Sequence, residues 1–501
     1  MEEVARRDDP RLPLELWHLV IEFLPKADQR SCLFVSRTFR DIARSYLFSS
    51  VTIYFGMWKP NGEHVEQDDA LETARQETWS WDLLRYITRD AAFAKAIKRM
   101  FVRSYSTGMG VFEINCLAEA IESLPNLFSF CWDGDMPRLN PHVMGALART
   151  SGTTLTELRA PIAAISGYVV QHFPLFTKLE ALALTVDFYD EPVTRLVNSF
   201  AVRLCVDAVS RTLRLLHVGG DTTWSLPIRT FMNLKELVVQ EPKELGSIGL
   251  VFRHCSQLES LTLVLDNLWV EKFLNTAMEE NPDALPNLTS FKLICHGDSF
   301  NRYPRDILDF LRPKKGLRRL HVETNMDCAD EGEYPQFYEF LPEFPKLEVV
   351  GTGICGFDFT PEKLKLLDEK IPMGVTALLI NFDFQGTEVP QSTWMDMFRK
   401  RTSMGYLHIL DREETLGMKQ QLLEDHPPSL KLTGYGPYLR WIEQDPETGL
   451  PAYAPSWPPH KVKFRTVDDF GCEDWEWLLR HRDWGDLNSL HPGLRDPTPG
   501  A

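Results

Sequence analysis

The chain has 501 residues and carries 71 aspartates and glutamates against 54 lysines and arginines, which gives a formal net charge of -17. Phosphate backbones and anionic lipid surfaces repel so acidic a chain, so the charge argues against generic binding of nucleic acid or membranes and leaves room for a basic protein partner. Hydrophobic residues make up 44% of the chain, as in a folded protein with a core, and the length suits about three domains or one elongated repeat array.

The nine cysteines are scattered along the chain and form no C-x-x-C pair. This pattern predicts reduced thiols rather than a disulfide framework or a zinc site. The N-terminal residues are mostly charged and lack the apolar stretch of a signal peptide, and no apolar run approaches the ~18 residues of a membrane span. We therefore expect a protein of the cytoplasm, the nucleus or both, with no bound metal.

Residues 8–50 are predicted to form a compact segment of three short helices. In the first helix Leu16, Val20, Phe23 and Leu24 recur at helical spacing and make one apolar face. Ser36 is placed to cap the third helix. Three short helices bury little apolar surface by themselves, so this segment is expected to need a partner.

The same segment resembles the F-box. The match runs through the strings LPLELWHLVIEFLP and KADQRSCLFVSRTFRDIA, which follow the family pattern of L-P-x-E, an aliphatic helix, then V-S-R and an aromatic residue. The usual tryptophan of the family is replaced here by Phe39. The resemblance implies binding to the Skp linker protein of Skp–cullin–F-box ubiquitin ligases, and through it to cullin. The residues that it implies for this contact are Leu12, Pro13, Leu16, Val20, Leu24, Leu33, Val35, Ser36 and Phe39. The alternative is that these side chains form the core of a helical cap on the rest of the chain.

Residues 51–96 are predicted to be a linker followed by a helix that leads into the next domain. The stretch at 59–78 is polar and acidic, so an exposed loop is expected there, with the helix beginning at Trp79.

Residues 97–430 carry a recurring triplet of apolar, mostly aliphatic residues at positions one, four and six of each copy. The twelve copies begin at Ile97, Leu127, Leu155, Leu179, Leu213, Leu234, Leu258, Leu288, Leu317, Leu347, Val375 and Met404. Successive starts lie 21 to 34 residues apart, and most intervening segments have helical periodicity. This period and signature are typical of leucine-rich repeats, in which each strand feeds a helix that returns to the next parallel strand.

The array resembles the degenerate leucine-rich repeats of F-box proteins, although the usual asparagine or cysteine ladder is irregular. The predicted fold class is therefore α/β, a short three-helix F-box followed by a leucine-rich-repeat-like α/β solenoid. A conventional α/β domain is the alternative. Residues 431–501 are rich in tryptophan and proline and are predicted to be a cap and tail that seal the last repeat, or else a partner-binding segment.

Polar side chains are expected where the predicted strands end. These candidate substrate-binding residues are Asp135, Asp187, Asp221, Asp266, His296, Asn325 and Asp383. Their functional interpretation is an acidic rim that favours a basic protein substrate. The alternative is that aspartate and asparagine stand there because their side chains stabilise turns.

Catalytic and cofactor motifs are absent, apart from one weak match. Residues 351–356 fit G-x-G-x-x-G, but they do not open directly into a helix as a dinucleotide site requires, so no cofactor is predicted. The sequence thus predicts a non-catalytic adaptor that presents a protein substrate to a ubiquitin ligase. Two alternatives are an F-box scaffold that acts outside ubiquitin ligases and a repeat-fold enzyme.

Overall fold

The structure, a computed structural model, describes residues 12–59, 67–106, 108, 110–185, 199–242, 245–265, 270–295, 305–324, 337–356, 360–384, 389–411, 422–423, 426–482 and 487. None of the helices within these ranges combines the length and the apolar character that crossing a bilayer requires.

Three helices open the described chain. They are α1 (Leu14–Phe23), α2 (Lys26–Cys32) and α3 (Arg37–Leu47). Prolines precede α1 and α2, and the Ser36 hydroxyl accepts a hydrogen bond from the Phe39 N–H at 3.2 Å, which confirms the predicted cap of α3. Ile21, Cys32 and Ile42 form a small buried core.

Buried Gln29 fastens the first two helices together. Its side-chain amide donates to the carbonyl oxygens of Ile21 at 2.9 Å and Leu24 at 3.1 Å, at the C-terminal end of α1. A polar contact therefore supplements the small apolar core.

Beyond these helices the chain divides into two compact units. The N-unit comprises Met1–Trp58 and His64–Thr212, and the C-unit comprises Lys59–Glu63 and Leu213–Ala501. The three-helix segment belongs to the N-unit, where α3 packs on a later helix at Ala91–Ala96 and Arg44 pairs with Asp90 at 3.1 Å.

The N-unit contains five parallel strands joined by helices. The strands are β1 (Ser50–Gly56), β2 (Arg99–Tyr105), β3 (Ser129–Met136), β4 (Glu157–Pro161) and β5 (Ala181–Thr185), each paired with the next. The helices are α4 (Gln67–Arg89), α5 (Ala91–Ala96), α6 (Val111–Glu122), α7 (Pro141–Ser151), α8 (Gly167–Val170) and α9 (Ser199–Val209), with 3-10 turns at Ile162–Ala164 and Phe173–Leu175.

The C-unit continues the same alternation. Its parallel strands are β6 (Leu215–Gly219), β7 (Glu236–Gln240), β8 (Ser260–Leu265), β9 (Ser290–Cys295), β10 (Arg319–Thr324), β11 (Val349–Gly356), β12 (Ala377–Phe384), β13 (Tyr406–Asp411) and β14 (Leu432–Tyr435). Two antiparallel strands follow, β15 (Tyr438–Gln444) and β16 (Pro451–Tyr453). The helices are α10 (Ile228–Phe231), α11 (Gly249–His254), α12 (Val270–Glu280), α13 (Arg305–Leu311), α14 (Pro361–Lys370), α15 (Gln391–Arg399), α16 (Pro459–Lys463), α17 (Val467–Phe470) and α18 (Glu473–Leu479), with 3-10 turns at Gly220–Ser225 and Phe337–Glu343.

The second and third positions of each of the twelve predicted triplets lie on a strand, and the first position stands two residues before it. The second and third positions of neighbouring copies are register partners, as in Leu216 with Leu237 and Leu261 with Phe291. These side chains are fully buried, and each contributes about 1.5–3 kcal/mol by leaving water. The α/β repeat architecture predicted from the triplets is therefore confirmed.

The structure differs from the prediction at residues 51–96, the expected linker and helix. Strand β1 lies in this range and pairs with β2, so the parallel sheet begins before residue 97. Val51 and Ile53 occupy the second and third triplet positions, but the first is Phe48, so a pattern built on aliphatic first positions missed this copy. Helix α4 also starts earlier than expected, inside the polar stretch at 59–78.

The two faces of the sheet are buried to different extents in the two units. The triplet side chains and the helices lie on one side of the sheet, and we call the opposite side the inner face. Successive residues of a strand alternate between these two sides. In the N-unit, burial alternates along β1 and β5, where inner-face side chains are half-buried or exposed, whereas β3 is buried from Ser129 to Gly134. In the C-unit, β8 and β9 are buried throughout, which indicates cover on both faces.

Candidate functional site

Large apolar side chains are exposed on α1, just before it, and in the connection between α2 and α3. They are Leu12, Leu14, Leu16, Leu19, Val20, Phe23, Phe34 and Val35. Phe23 is 84% exposed and Phe34 is 87% exposed. Exposed apolar residues at this density, within residues 12–35, are typical of a surface at which another protein docks.

The structure separates the residues predicted to contact the Skp linker protein into two groups. Leu12, Pro13, Leu16, Val20 and Val35 are exposed. Leu24, Leu33 and Phe39 pack on the core of the three helices, where the rings of Phe39 and Trp17 lie 4.8 Å apart, and Ser36 caps α3. The first group is available for contact, whereas the second shapes the segment. The binding role of both groups stays a prediction.

Four exposed residues were missed by the sequence analysis. Leu14, Leu19 and Phe34 lie away from the face that Leu16 and its neighbours define, and Phe23, which lies on that face, was not assigned to the contact. The sequence does contain a signal for these residues: the short helices carry more apolar residues than one buried helix face accounts for.

Residues 10–50 match the model of the F-box domain. The chain therefore carries an F-box. Its boundaries agree with the three helices and their exposed surface, and the resemblance seen in the sequence is confirmed.

Solved structures similar to the chain include the complex of Rad7 and Elc1 from yeast, with 14% sequence identity and a TM-score of 0.39. The match covers 76% of this chain and 93% of the other chain. They also include the leucine-rich repeat domain of APL1B, with 11% sequence identity and a TM-score of 0.23. This match covers 70% of this chain and 87% of the other chain. None of the curated proteins matches the chain.

Downstream of the F-box, the inner face of the C-unit is covered by the end of the same chain. We call residues 473–482 the C-terminal segment; they comprise α18 and the three residues after it. The segment packs on β11 and β12, and the Trp475 ring lies 5.9 Å from that of Tyr406 on β13. A Cβ on Gly405 would come within 2.6 Å of Trp475, so this glycine makes room for the segment.

Lys292 on β9 holds the end of α18. Its ammonium donates to the carbonyl oxygens of Trp477, of Leu478 at 3.2 Å and of Arg480 at 3.0 Å, and it lies 4.5 Å from the centre of the Trp477 ring. A cation at a helix C-terminus satisfies carbonyls that have no partner within the helix. Lys292 is fully buried, and burial lowers its pKa well below the ordinary value, with Arg480 and Arg482 adding to the shift.

Ion pairs fix both ends of the C-terminal segment. At its start, Arg318 donates two hydrogen bonds of 2.7 Å to Asp474, and Arg319 pairs with the same carboxylate at 2.7 Å. Burial acts to raise the pKa of Asp474, but the hydrogen bond from Arg318 and the two arginine charges outweigh it and hold the pKa below its usual value.

At the other end of the segment, Arg480 pairs with Glu236 on β7 at 3.1 Å, and Arg482 pairs with Glu323 on β10. Asn381 on β12 donates to the second oxygen of Glu323 at 2.7 Å. The contacts of the segment thus reach from β7 to β13 and match its charges with opposite charges on the sheet.

Only one of the seven candidate substrate-binding residues has a described side chain. Asp135, near the end of β3, is exposed. Asp221 lies in the 3-10 turn after β6 and Asp383 near the end of β12, where only their backbones are described. The remaining four, Asp187, Asp266, His296 and Asn325, lie outside the described residues. The acidic rim stays a prediction.

The G-x-G-x-x-G string at 351–356 lies on strand β11. Gly351 stands opposite His321 on β10, and a Cβ there would collide with the imidazole ring. Gly434 on β14 stands in the same relation to His408 on β13. These glycines make room for neighbouring rings and do not form a phosphate loop.

Within the described ranges, no three histidine, cysteine or acidic side chains lie close enough together to hold a metal ion.

Proposed function

We propose that the chain is the substrate-recognition adaptor of a Skp–cullin–F-box ubiquitin ligase. The F-box binds the Skp linker protein and, through it, cullin, while the repeats bind a protein substrate. The observation that carries the proposal is the exposed apolar surface at 12–35, which coincides with the F-box match.

The physical argument for docking is the cost of this surface in water. An apolar side chain such as Phe23 or Phe34 contributes about 1.5–3 kcal/mol when a partner buries it fully, before the costs of association. The small core of the F-box leaves these residues uncovered, so a partner that covers them also stabilises the three helices.

The adaptor acts by proximity. Substrate and F-box are held on one chain, which raises the effective concentration of substrate lysines near the ubiquitin-conjugating enzyme. No residue of the chain takes part in bond chemistry under this proposal. The seven cysteines whose side chains are described form no disulfide, which suits the cytoplasm or nucleus as the place of action.

A matched pair of valines tests the docking surface. Val35 in the F-box is 65% exposed and Val111 at the start of α6 is 66% exposed. Val35→Glu should raise the dissociation constant for the purified Skp linker protein by at least about tenfold, because the interface would bury an unpaired charge. Val111→Glu should leave it unchanged. Equal affinity of both variants and the wild type in a titration would contradict the proposal.

The second candidate is an F-box scaffold that acts outside ubiquitin ligases. It also predicts binding of the Skp linker protein, so the first experiment does not separate the two. Reconstitution with cullin does: an adaptor brings cullin into the complex and promotes ubiquitin transfer to its bound partner, whereas the scaffold does neither.

A further inference from the structure

A buried histidine lies under the end of the C-terminal segment. His321 on β10 is fully buried. Its Nε2 lies 3.4 Å from a carboxylate oxygen of Glu323 on the same strand and 3.4 Å from Nη2 of Arg482 on the segment. The ring packs against the backbone of Gly351 on β11, where a Cβ would collide with it. His321 therefore belongs to the contact between the sheet and the segment.

This contact suits a neutral imidazole. Among the described residues, the buried Nδ1 of His321 has no hydrogen-bond partner, whereas Nε2 faces the carboxylate of Glu323. A neutral ring can place its single proton on Nε2 and leave Nδ1 unprotonated. A protonated ring would carry a second N–H, and burying that donor without an acceptor is unfavourable.

The charges that face His321 also oppose its protonation. Lys292 is its register partner on β9, and Arg482 approaches from the segment, so two cations lie beside the ring. Glu323 is already paired with Arg482 and accepts a hydrogen bond of 2.7 Å from Asn381 on β12. Burial lowers the pKa of His321 well below its ordinary value, and the charges of Lys292 and Arg482 lower it further.

The other charged groups around the ring are paired with one another. Arg319, two residues earlier on β10, pairs with Asp474 of the segment at 2.7 Å. Arg480 of the segment pairs with Glu236 at 3.1 Å and with Glu476 at 2.7 Å. Since these carboxylates are already engaged, a proton on the ring would add an uncompensated positive charge to the contact.

Opening of the segment would remove this penalty. Arg482 would leave with the segment, Glu323 would become available to a charged His321, and water would reach the ring. Protonation is therefore disfavoured while the segment is in place and ordinary once it has opened. The closed form keeps its full advantage above the ordinary pKa of 6.5 and loses it as the pH falls below that value.

We infer that His321 makes the C-terminal segment a pH-sensitive latch, which is closed at neutral pH and opens more often as the ring takes up a proton. Opening is local, so the strands of the C-unit stay folded while Lys292 and Glu323 on their inner face are uncovered. This regulation goes beyond the proposed function, because it involves neither the F-box nor its partner.

Hydrogen exchange of the full chain at about pH 7.5 and about pH 5.5 tests the latch. The rates are converted to protection factors, which remove the effect of pH on the intrinsic exchange rate. Protection of the amides at 473–482 should fall by at least about tenfold, because a histidine with an ordinary pKa of 6.5 becomes protonated in the open form. The amides of β8 should stay better protected than those of the segment at both pH values.

His321→Gln separates this ring from other titrating groups. The change keeps an amide donor towards Glu323 but cannot take up a charge, so the fall in protection should be about tenfold smaller than in the wild type. His217 and His481, whose rings lie 4.9 Å apart, remain in this variant, so their titration cancels in the comparison. Arg482→Gln removes the charge of the segment beside the ring and should also reduce the fall, with lower protection at both pH values.

His142→Gln, at the exposed start of α7, is the control and should match the wild type. The latch is refuted if protection of the segment does not change with pH, or if His321→Gln shows the same fall as the wild type. Equal protection of the segment and of β8 would also refute it, because the whole C-unit would then open together. If His321→Gln does not fold, the same comparison is made with Arg482→Gln.

Discussion

At the scale of single residues, His408 shows how the C-unit holds a titratable group in its core. The Tyr406 hydroxyl lies 2.7 Å from Nδ1, and Nε2 lies 2.9 Å from the carbonyl oxygen of Gly436. A carbonyl can only accept, so Nε2 carries the proton and Nδ1 accepts from the tyrosine. Both nitrogens of a neutral imidazole are thus satisfied, and burial lowers the pKa of His408 to about 3.

This arrangement makes stability depend on pH. The unfolded chain takes up a proton on this histidine below its ordinary pKa of 6.5, whereas the folded chain resists protonation down to about 3. The stabilising contribution is therefore complete above 6.5 and is lost as the pH falls towards 3, by about 1.4 kcal/mol per pH unit. Burial lowers the pKa of His321 well below its ordinary value too, with help from Lys292 and Arg482.

We predict that the free energy of unfolding, measured by urea titration, falls by about 2 kcal/mol for His408 alone between pH 6.5 and pH 5. His408→Gln should lower stability at neutral pH and reduce the pH dependence. His142→Gln, at the exposed start of α7, serves as the control and should keep the wild-type profile. A His408→Gln profile parallel to that of the wild type would count against this explanation.

Residue-level detail was only partly predictable from the sequence. Ser36 could be assigned as a cap because its hydroxyl oxygen and the N–H that donates to it lie only three residues apart. The roles of Gly351 and Gly434 could not, because each makes room for a ring on a neighbouring strand. Leu24, Leu33 and Phe39 fit the family pattern as well as Leu16 does, and only packing distinguishes the inward from the outward residues.

At the scale of elements, the strands were predictable and the C-terminal segment was not. The triplet is a local pattern, and its buried positions recur at each of these parallel strands. Twelve strands could therefore be placed from the spacing of apolar residues alone. The contact between Lys292 and Trp477 joins residues 185 positions apart, and no local pattern encodes such a pairing. A tryptophan-rich end was apparent, but not the surface on which it packs.

We predict that Lys292 anchors the C-terminal segment. Lys292→Met keeps most of the apolar stem but removes the donors to three carbonyl groups, and each carbonyl left buried without a partner costs about 1–3 kcal/mol unless it reorganises. The segment should then open more often. Hydrogen exchange of the backbone amides at 473–482 should accelerate and the midpoint of urea unfolding should fall.

Lys346→Ala, at an exposed position before β11, is the control for this change. It should leave both measurements as in the wild type. If Lys292→Met exchanges at the wild-type rate within the segment, Lys292 is not its anchor.

At the scale of the whole molecule, different parts of the chain present different surfaces. The F-box presents exposed apolar residues, whereas the inner face of the C-unit is covered by the C-terminal segment. The fold class and the F-box followed from the sequence because both have local signatures. The cover on the inner face of the C-unit depends on contacts distant in sequence, so only the structure shows it.

The central claim is that the apolar surface at 12–35 is where a second protein binds. Hydrogen–deuterium exchange of the full chain, alone and with an excess of the Skp linker protein, tests it most directly. We predict that the amides of α1 and α2 become more protected in the complex, because a partner that binds the folded helices stabilises them, while those of β8 and β9 stay unchanged. Unchanged exchange throughout residues 12–35 at saturating partner would contradict the account.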